Sequence, residues 1–464
     1  MTKQSILKKF DVITIGSGGG SKISSPAASM GLKVAVIEKD RLGGTCLNRG
    51  CIPSKMLIHP ADVAIEIKEA HRFDIHNNPQ FTVDFAKLVE RISSTVDADS
   101  NKIVTSYNNH PNITLYQGSA KFVENKVIEI NNEQITADKI FIAVGTRPSI
   151  PNIPGLAGTP YMTSTEALRN TSLPKSMIII GGGYIGCELG HAYGALGTKT
   201  TFLVRSKLLR AQDAEIATEF QKVFSCYHDV RLDAVPTNVE YYNDTFTVHF
   251  TQEGQNQSVS AKSLLIATGI TSNVDTLDLI NTDIEINPGN FIRVDEHLET
   301  SVPGIWSMGD CIGKYFFRHS VNFEGEYLFD YIFGGKSKTP IQYPPMPHAV
   351  FTHPQVAGVG ATEEELKSKG IDYAVGLNPY KSSAMGMALL SDHGFCKILI
   401  DRKTRKILGG HIIGPEASDM IHMIIAYMNM NGTLDDMLRT IYIHPALPEI
   451  IRNAARKAKL NLDK

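Results

Sequence analysis

The stretch SMIIIGGGYIGCELG, Ser176–Gly190, sets a run of β-favouring apolar residues directly against glycines and then a helix-forming segment. In that context the pattern G-x-G-x-x-G, here Gly181, Gly183 and Gly186, reads as a dinucleotide-binding turn rather than an ordinary loop. The first glycine makes the tight turn, the second lets backbone approach a pyrophosphate, and the third lets helix and strand pack closely. The helix N-terminus adds free N–H groups and the positive end of its dipole. Downstream, TKTTFLVRS (198–206) supplies a second strand, and SLLIATGITS (263–272) a later strand ending in a turn at Gly269.

The same construction stands earlier in the chain: KKFDVITIGSGGGS (8–21), LKVAVIEKD (32–40) and KIFIAVGTRP (139–148), the last ending in a turn at Gly145. The repeat predicts an α/β chain with two doubly wound, Rossmann-like dinucleotide-binding domains. The first copy is less regular. Gly16 and Gly18 are in place, but the third position is Ser21 and the helical run meets Pro26. A proline inside a helix costs about 3 kcal/mol or more, so Ser25 is expected to N-cap a short, late helix with Pro26 at its first position. Glu38 ends the second strand, where an acid binds a ribose hydroxyl. The second copy has Arg205 and then Arg210 there and no acid, which suits the extra phosphate of NADP(H) better than the ribose diol of NAD(H). The alternative is two solvated surface arginines.

At 464 residues the chain is too long for one core, and domains of about 100–200 residues imply three or so. A net charge of −2 gives no reason to expect nucleic-acid binding. The N-terminus lacks a secretory pattern, and the longest apolar stretch, near Met420–Met430, contains His422 and Asn429 and is too short and polar to span a bilayer. A cytoplasmic location is therefore expected, with no membrane partner. There the six cysteines should mostly be thiols, and a disulfide that forms is more often catalytic than structural.

Two of them stand in GGTCLNRGC, Gly43–Cys51, followed by IPSK. The others, Cys187, Cys226, Cys311 and Cys396, are scattered singly, read as buried thiols, and leave zinc without a ligand set; no metal is expected. Residues five apart on a regular helix have Cα atoms roughly 9 Å apart, whereas a disulfide needs less than about 7 Å. A Cys46–Cys51 bridge must therefore distort the helix unless the segment is irregular, and a strained bridge is more easily reduced. Arg49 and Lys55 bring positive charge that favours a thiolate. Redox use is favoured over a staple or a metal clip.

GGTCLNRGCIPSK, the two dinucleotide folds, SVPGIWSMGD and a C-terminal HPALPE together resemble the FAD-dependent pyridine nucleotide–disulfide oxidoreductases, the family of dihydrolipoamide dehydrogenase, glutathione reductase, mercuric reductase and mycothione reductase. The resemblance covers nearly the whole chain. It implies an FAD-binding domain at 1–148, an NAD(P)-binding domain at 149–270, a central segment at 271–343 completing the FAD site, and an α+β C-terminal dimerisation domain at 344–464. By position, Gly16, Gly18, Glu38, Gly44, Thr45, Gly145, Asp310 and His319 would hold FAD, with Lys55 beside the flavin and paired with Glu188. Gly181, Gly183, Gly186, Glu188, Arg205, Arg210 and Gly269 would serve NAD(P). His444 and Glu449 keep the spacing HPxxxE: Glu449 would orient His444, which would shuttle protons at the other subunit's cysteines in an obligate homodimer. The implied relay runs from nicotinamide to FAD to the disulfide at Cys51, and the released Cys46 attacks the substrate disulfide.

Within the family the signals divide. LNRGCIPSK is nearest the NAD-linked dihydrolipoamide dehydrogenases, which would make a 2-oxo-acid dehydrogenase complex a partner. YIHPALPE, with Tyr442 in place of a second histidine, the irregular first glycine loop and Arg205 and Arg210 resemble mycothione reductase and the NADPH-using members. The second turn reads GITSN, with Ile270 and Ser272 where the family usually has Arg and Pro. The expectation is an NADPH-linked reductase of a small disulfide, with lipoamide dehydrogenase as the alternative. Outside the class stand a flavin diaphorase or transhydrogenase, and a non-catalytic FAD-bound subunit.

Overall fold

The structure is a computed structural model and describes residues 7–76, 81–335 and 339–462. It divides into two compact units: the described residues of 1–53, 90–149 and 269–342, and those of 54–89, 150–268 and 343–464.

The first unit is built on a seven-stranded sheet. Lys8–Ile15 lies between Val34–Glu38 and Glu133–Ile142, all parallel, with Ile113–Gln117 beyond Val34–Glu38 and Ile305–Ser307 pairing Glu133–Ile142. Val34–Glu38 and Ile305–Ser307 are buried along their whole length, as expected of parallel strands covered on both faces. Val127–Ile130 and Lys121–Glu124 add an antiparallel ribbon. The helix after the first glycine loop runs Ser21–Ser29 with Pro26 inside it. The late start expected from Pro26 is therefore wrong. Packing decides the matter: a Cβ on Gly20 would lie 2.2 Å from the Gly16 carbonyl oxygen and 3.3 Å from Thr14 Cβ. The missing side chain lets the helix begin against the strand end, and tertiary contact overrides the local preference.

In the second unit, Asp229–Arg231, Lys199–Leu203, Ser176–Ile180 and Ser263–Ile266 form a parallel sheet in that order, with an antiparallel meander through Val235–Tyr242, Thr245–Gln252 and Gln255–Ala261. A separate five-stranded antiparallel sheet runs His348–Val350, Val356–Gly360, Ile407–Ile413, Phe395–Asp401, Tyr373–Pro379. The helix Glu449–Leu462 lies against its last two strands. It comes so close that a Cβ on Gly376 would meet the Ala454 carbonyl oxygen at 2.0 Å. Lys397 of that sheet is fully buried, with Asp213, Glu215 and Glu363 at 3.0, 2.6 and 2.5 Å, the multiple pairing a buried ammonium requires.

Cys187, Cys311 and Cys396 are buried, whereas Cys226 is exposed, which corrects its reading as a buried thiol. Among the described residues no helix is long and apolar enough to cross a membrane, and no group of three or more His, Cys, Asp or Glu is arranged to hold a metal ion.

Candidate active site

Cys46 and Cys51 do not share one helix. Cys46 lies in Gly44–Arg49, and Cys51 opens Cys51–Glu69. Between them Gly50 takes φ −140° and ψ −117°. A Cβ there would sit 2.9 Å from the Thr45 carbonyl oxygen and 3.4 Å from Cys46 Cα. The glycine thus folds the backbone onto itself, and the separation expected of a regular helix does not apply.

Both cysteines stand as thiols. The Cys46 thiol hydrogen-bonds to the Cys51 sulfur, and that bond first, then burial, then the neighbouring sulfur's charge push Cys46 far up against the pull of the Arg318 guanidinium. The two thiols titrate as a pair. Arg49 does not tune them as expected. Its guanidinium is 2.5 Å from Asp40; burial raises the Asp40 carboxyl, but the Arg41 N–H and Arg49 hold it below its usual value.

Hydrogen bonds tie this segment to the first glycine loop. Gly43 N–H donates to Ser17 Oγ (2.9 Å), and the Ser17 hydroxyl and N–H donate to Glu38 Oε2 (2.7 and 2.9 Å). Asn48 Nδ2 donates to the carbonyls of Arg41, Leu42 and Gly44 at 3.2, 2.9 and 3.0 Å, stapling the turn to its short helix. A cleft of about 450 Å³ lies here, lined by Ser17, Gly18, Gly43, Cys46, Tyr107 and Arg318 among others. Gly18 and Gly44 face one another so closely that a Cβ on Gly44 would fall 2.7 Å from Gly18 Cα. Thr146 Oγ1–H donates to Asp310 at 2.7 Å, and burial raises the Asp310 carboxyl despite that bond. A buried acid at the strand end, a bare glycine cradle and a second, half-buried acid fit the flavin dinucleotide implied above. Thr45 is exposed at the start of its helix. Gly145, at φ +64°, leaves open space where a side chain would stand. The His319 ring stacks on Phe317 with centroids 5.0 Å apart.

The second loop repeats the first. A Cβ on Gly181 (φ +126°) would lie 2.1 Å from the Ala267 carbonyl oxygen, and one on Gly186 would lie 2.8 Å from that of Gly181, whereas Gly183 faces open space. Leu209 N–H donates to the Gly182 carbonyl at 2.8 Å, anchoring the segment that carries Arg205 and Arg210. Both arginines are exposed, as is Lys207, and among the described residues no carboxylate pairs with any of the three. Gly269 accepts from Ser149 N–H at 2.9 Å and precedes Ile270–Ser272, which pairs with Thr146–Pro148.

Lys55, one turn along the helix that Cys51 opens, places Nζ 2.7 Å from Glu188 Oε2 and 4.3 Å above the Phe351 ring centroid. The other carboxylate oxygen of Glu188 accepts from Phe351 N–H at 3.1 Å. His444 is 70% exposed, and its Nδ1 is 2.9 Å from Oε2 of buried Glu449. Ile441 and Ile443 beside it are 96% and 80% exposed. Burial raises the Glu449 carboxyl, but the Ala446 N–H, His444 and Arg452 hold it below the ordinary range, so the dyad keeps its anion.

Sequence reasoning missed Ser17, Thr146, Arg318 and Phe351. Ser17 and Thr146 sit beside glycines already singled out and were within reach. Arg318 and Phe351 become visible only when distant segments meet.

Residues 10–325 match the family described as pyridine nucleotide–disulphide oxidoreductase, and residues 346–455 its dimerisation domain. The chain is 32% identical over 460 residues to a mycothione reductase of Mycobacterium tuberculosis, covering 97% of this chain and 99% of that one. It is 34% identical over 458 residues to a dihydrolipoyl dehydrogenase of Chlorobaculum parvum, covering 96% of each. Among solved structures, the HOCl-induced flavoprotein disulfide reductase RclA from Escherichia coli superposes with a TM-score of 0.86 at 28% identity, covering 97% of this chain and 99% of that one.

Proposed function

This chain belongs to the pyridine nucleotide–disulphide oxidoreductase family, and on that footing we propose that it is an NADPH-linked reductase of a small, low-molecular-weight disulfide, working as a homodimer. The observation that carries the choice of nucleotide is the rim of Arg205, Lys207 and Arg210, exposed and without a paired carboxylate among the described residues, where an NAD-binding loop would place an acid. The cofactor of this FAD-dependent family supplies, when bound, the two-electron transfer between nicotinamide and the cysteine pair.

This chain's residues do the rest. Gly16, Gly18, Glu38, Gly44, Thr45, Gly145, Asp310 and His319 hold the flavin dinucleotide; Gly181, Gly183, Gly186 and Gly269 hold the nucleotide. Lys55 and Glu188, locked as a pair, border the flavin. Reduction of the Cys46–Cys51 disulfide frees Cys46, which attacks the substrate disulfide to form a mixed disulfide and expel one thiolate. His444 protonates that thiolate; Glu449 holds its Nδ1, which leaves Nε2 to carry the proton. Cys51 then attacks Cys46, releasing the second thiol and closing the internal disulfide.

The relative 34% identical to this chain and the motif LNRGCIPSK favour a second reading, an NAD-linked dihydrolipoamide dehydrogenase running the dithiol in the oxidising direction. Steady-state kinetics with NADPH and NADH against lipoamide, glutathione disulfide and mixed thiol disulfides separate the two. Strong NADH preference with rapid lipoamide turnover would defeat the first reading.

A further inference from the structure

Glu449 does not serve His444 alone. Arg452 lies three residues on, a spacing that puts both on one side of a helix, and its Nη2 donates to Glu449 Oε1 at 2.6 Å. His444 and Ala446 N–H share the other oxygen, at 2.9 and 3.3 Å. The guanidinium carbon of Arg452 is 5.4 Å from the ring centroid of Tyr442, whose hydroxyl donates to the Met437 carbonyl at 3.2 Å. Arg452 Nε is buried without a hydrogen-bond partner among the described residues. The guanidinium is thus placed by the carboxylate and the ring, and a donor is left unmade for that placement.

We propose that Arg452, seated on Tyr442, is a positioning residue that sets the proton affinity of His444 by drawing on the carboxylate that holds it. Glu449 stabilises a protonated imidazole, but a permanent cation on the same carboxylate divides that anion's field and opposes a second positive charge nearby. His444 is thereby kept able to give up its proton to a leaving thiolate rather than locked in an ion pair. Among the described residues, Glu449 contacts His444 directly, Arg452 sits on the other oxygen of that carboxylate, and Tyr442 lies against Arg452 with Tyr427 beside it. The inference rests on the reading of His444 as proton donor.

The test is a histidine-ring NMR titration of the intact holoenzyme, with the His444 signal assigned by its loss in H444Q, run beside the pH profile of kcat/KM. Arg452→Gln should raise the His444 midpoint by about 0.5–1 pH unit and move the corresponding limb of the profile equally. Arg452→Lys, which keeps the charge, should stay within about 0.3 unit of the parent. Tyr442→Leu leaves every charge in place and should give a smaller rise, and it carries the test if R452Q does not fold. An unmoved midpoint in folded R452Q, or equal shifts in R452Q and R452K, overturns the proposal. If H444Q leaves turnover intact while R452Q still moves the titration, the reading of His444 as proton donor fails and the Arg452 coupling stands.

Discussion

The two glycine loops agree in backbone and differ in side chains. In both, the first glycine has positive φ and passes so near the last parallel strand that a Cβ would strike a carbonyl oxygen, at 2.3 Å from Ala143 and 2.1 Å from Ala267. From there they diverge. In the first, the packing glycine comes one residue sooner, Gly20 taking the place that Gly186 fills in the second, while the helix starts two residues later and tolerates Pro26 within nine residues. The second leads into an unbroken thirteen-residue helix. The first strand pair ends in Glu38, bound by Ser17, and the second in exposed Arg205. Close approach fixes the backbone of a dinucleotide turn and leaves the side chain at the strand end free to differ.

The sharpest way to break this comparison is at the shared glycines. Gly16→Ala and Gly181→Ala should each cost about 2–5 kcal/mol, from overpacking plus left-handed strain. Chemical denaturation and flavin content read the first, and nucleotide affinity the second. Equal tolerance of both alanines would mean that the approach is not what fixes the loops. Next comes the side-chain difference. The double variant R205A/R210A should raise KM for NADPH roughly 100-fold or more, at about 1.5–3 kcal/mol for each of two charged hydrogen bonds lost, and barely change KM for NADH. Parallel rises would show that the arginines only anchor the loop.

Pro26→Ala restores a helical N–H and should gain about 1–3 kcal/mol, seen as a higher denaturation midpoint. A loss would show that the proline shapes the cleft. The smallest effect is expected at Arg49. Because Asp40 holds it, R49A should move stability by about 1 kcal/mol or less and leave the pH dependence of thiol alkylation unchanged.

Much of this was legible in the residues. The repeated strand–glycine–strand construction needs only local patterning, and so did the cysteine pair. What stayed hidden was long-range or cooperative. The helix start at Ser21 depends on Gly20 meeting Gly16 and Thr14, which no propensity records. Cys46 and Cys51 approach through the backbone angles of Gly50. The charge beside the cysteines comes from Arg318, far along the chain, while the nearer Arg49 is claimed by Asp40. Arg452 stood in plain spacing from Glu449, but only the fold shows that one carboxylate serves both it and His444.

The central claim is that electrons from the nucleotide pass through Cys46 and Cys51 to a disulfide. Anaerobic reduction with NADPH, alkylation and peptide mass mapping test it most directly. Two new labels should appear, on Cys46 and Cys51 alone, and vanish when a turned-over disulfide is added before the alkylating agent. If both cysteines stay unlabelled while NADPH is oxidised, or stay labelled in the presence of that disulfide, the relay described here is contradicted.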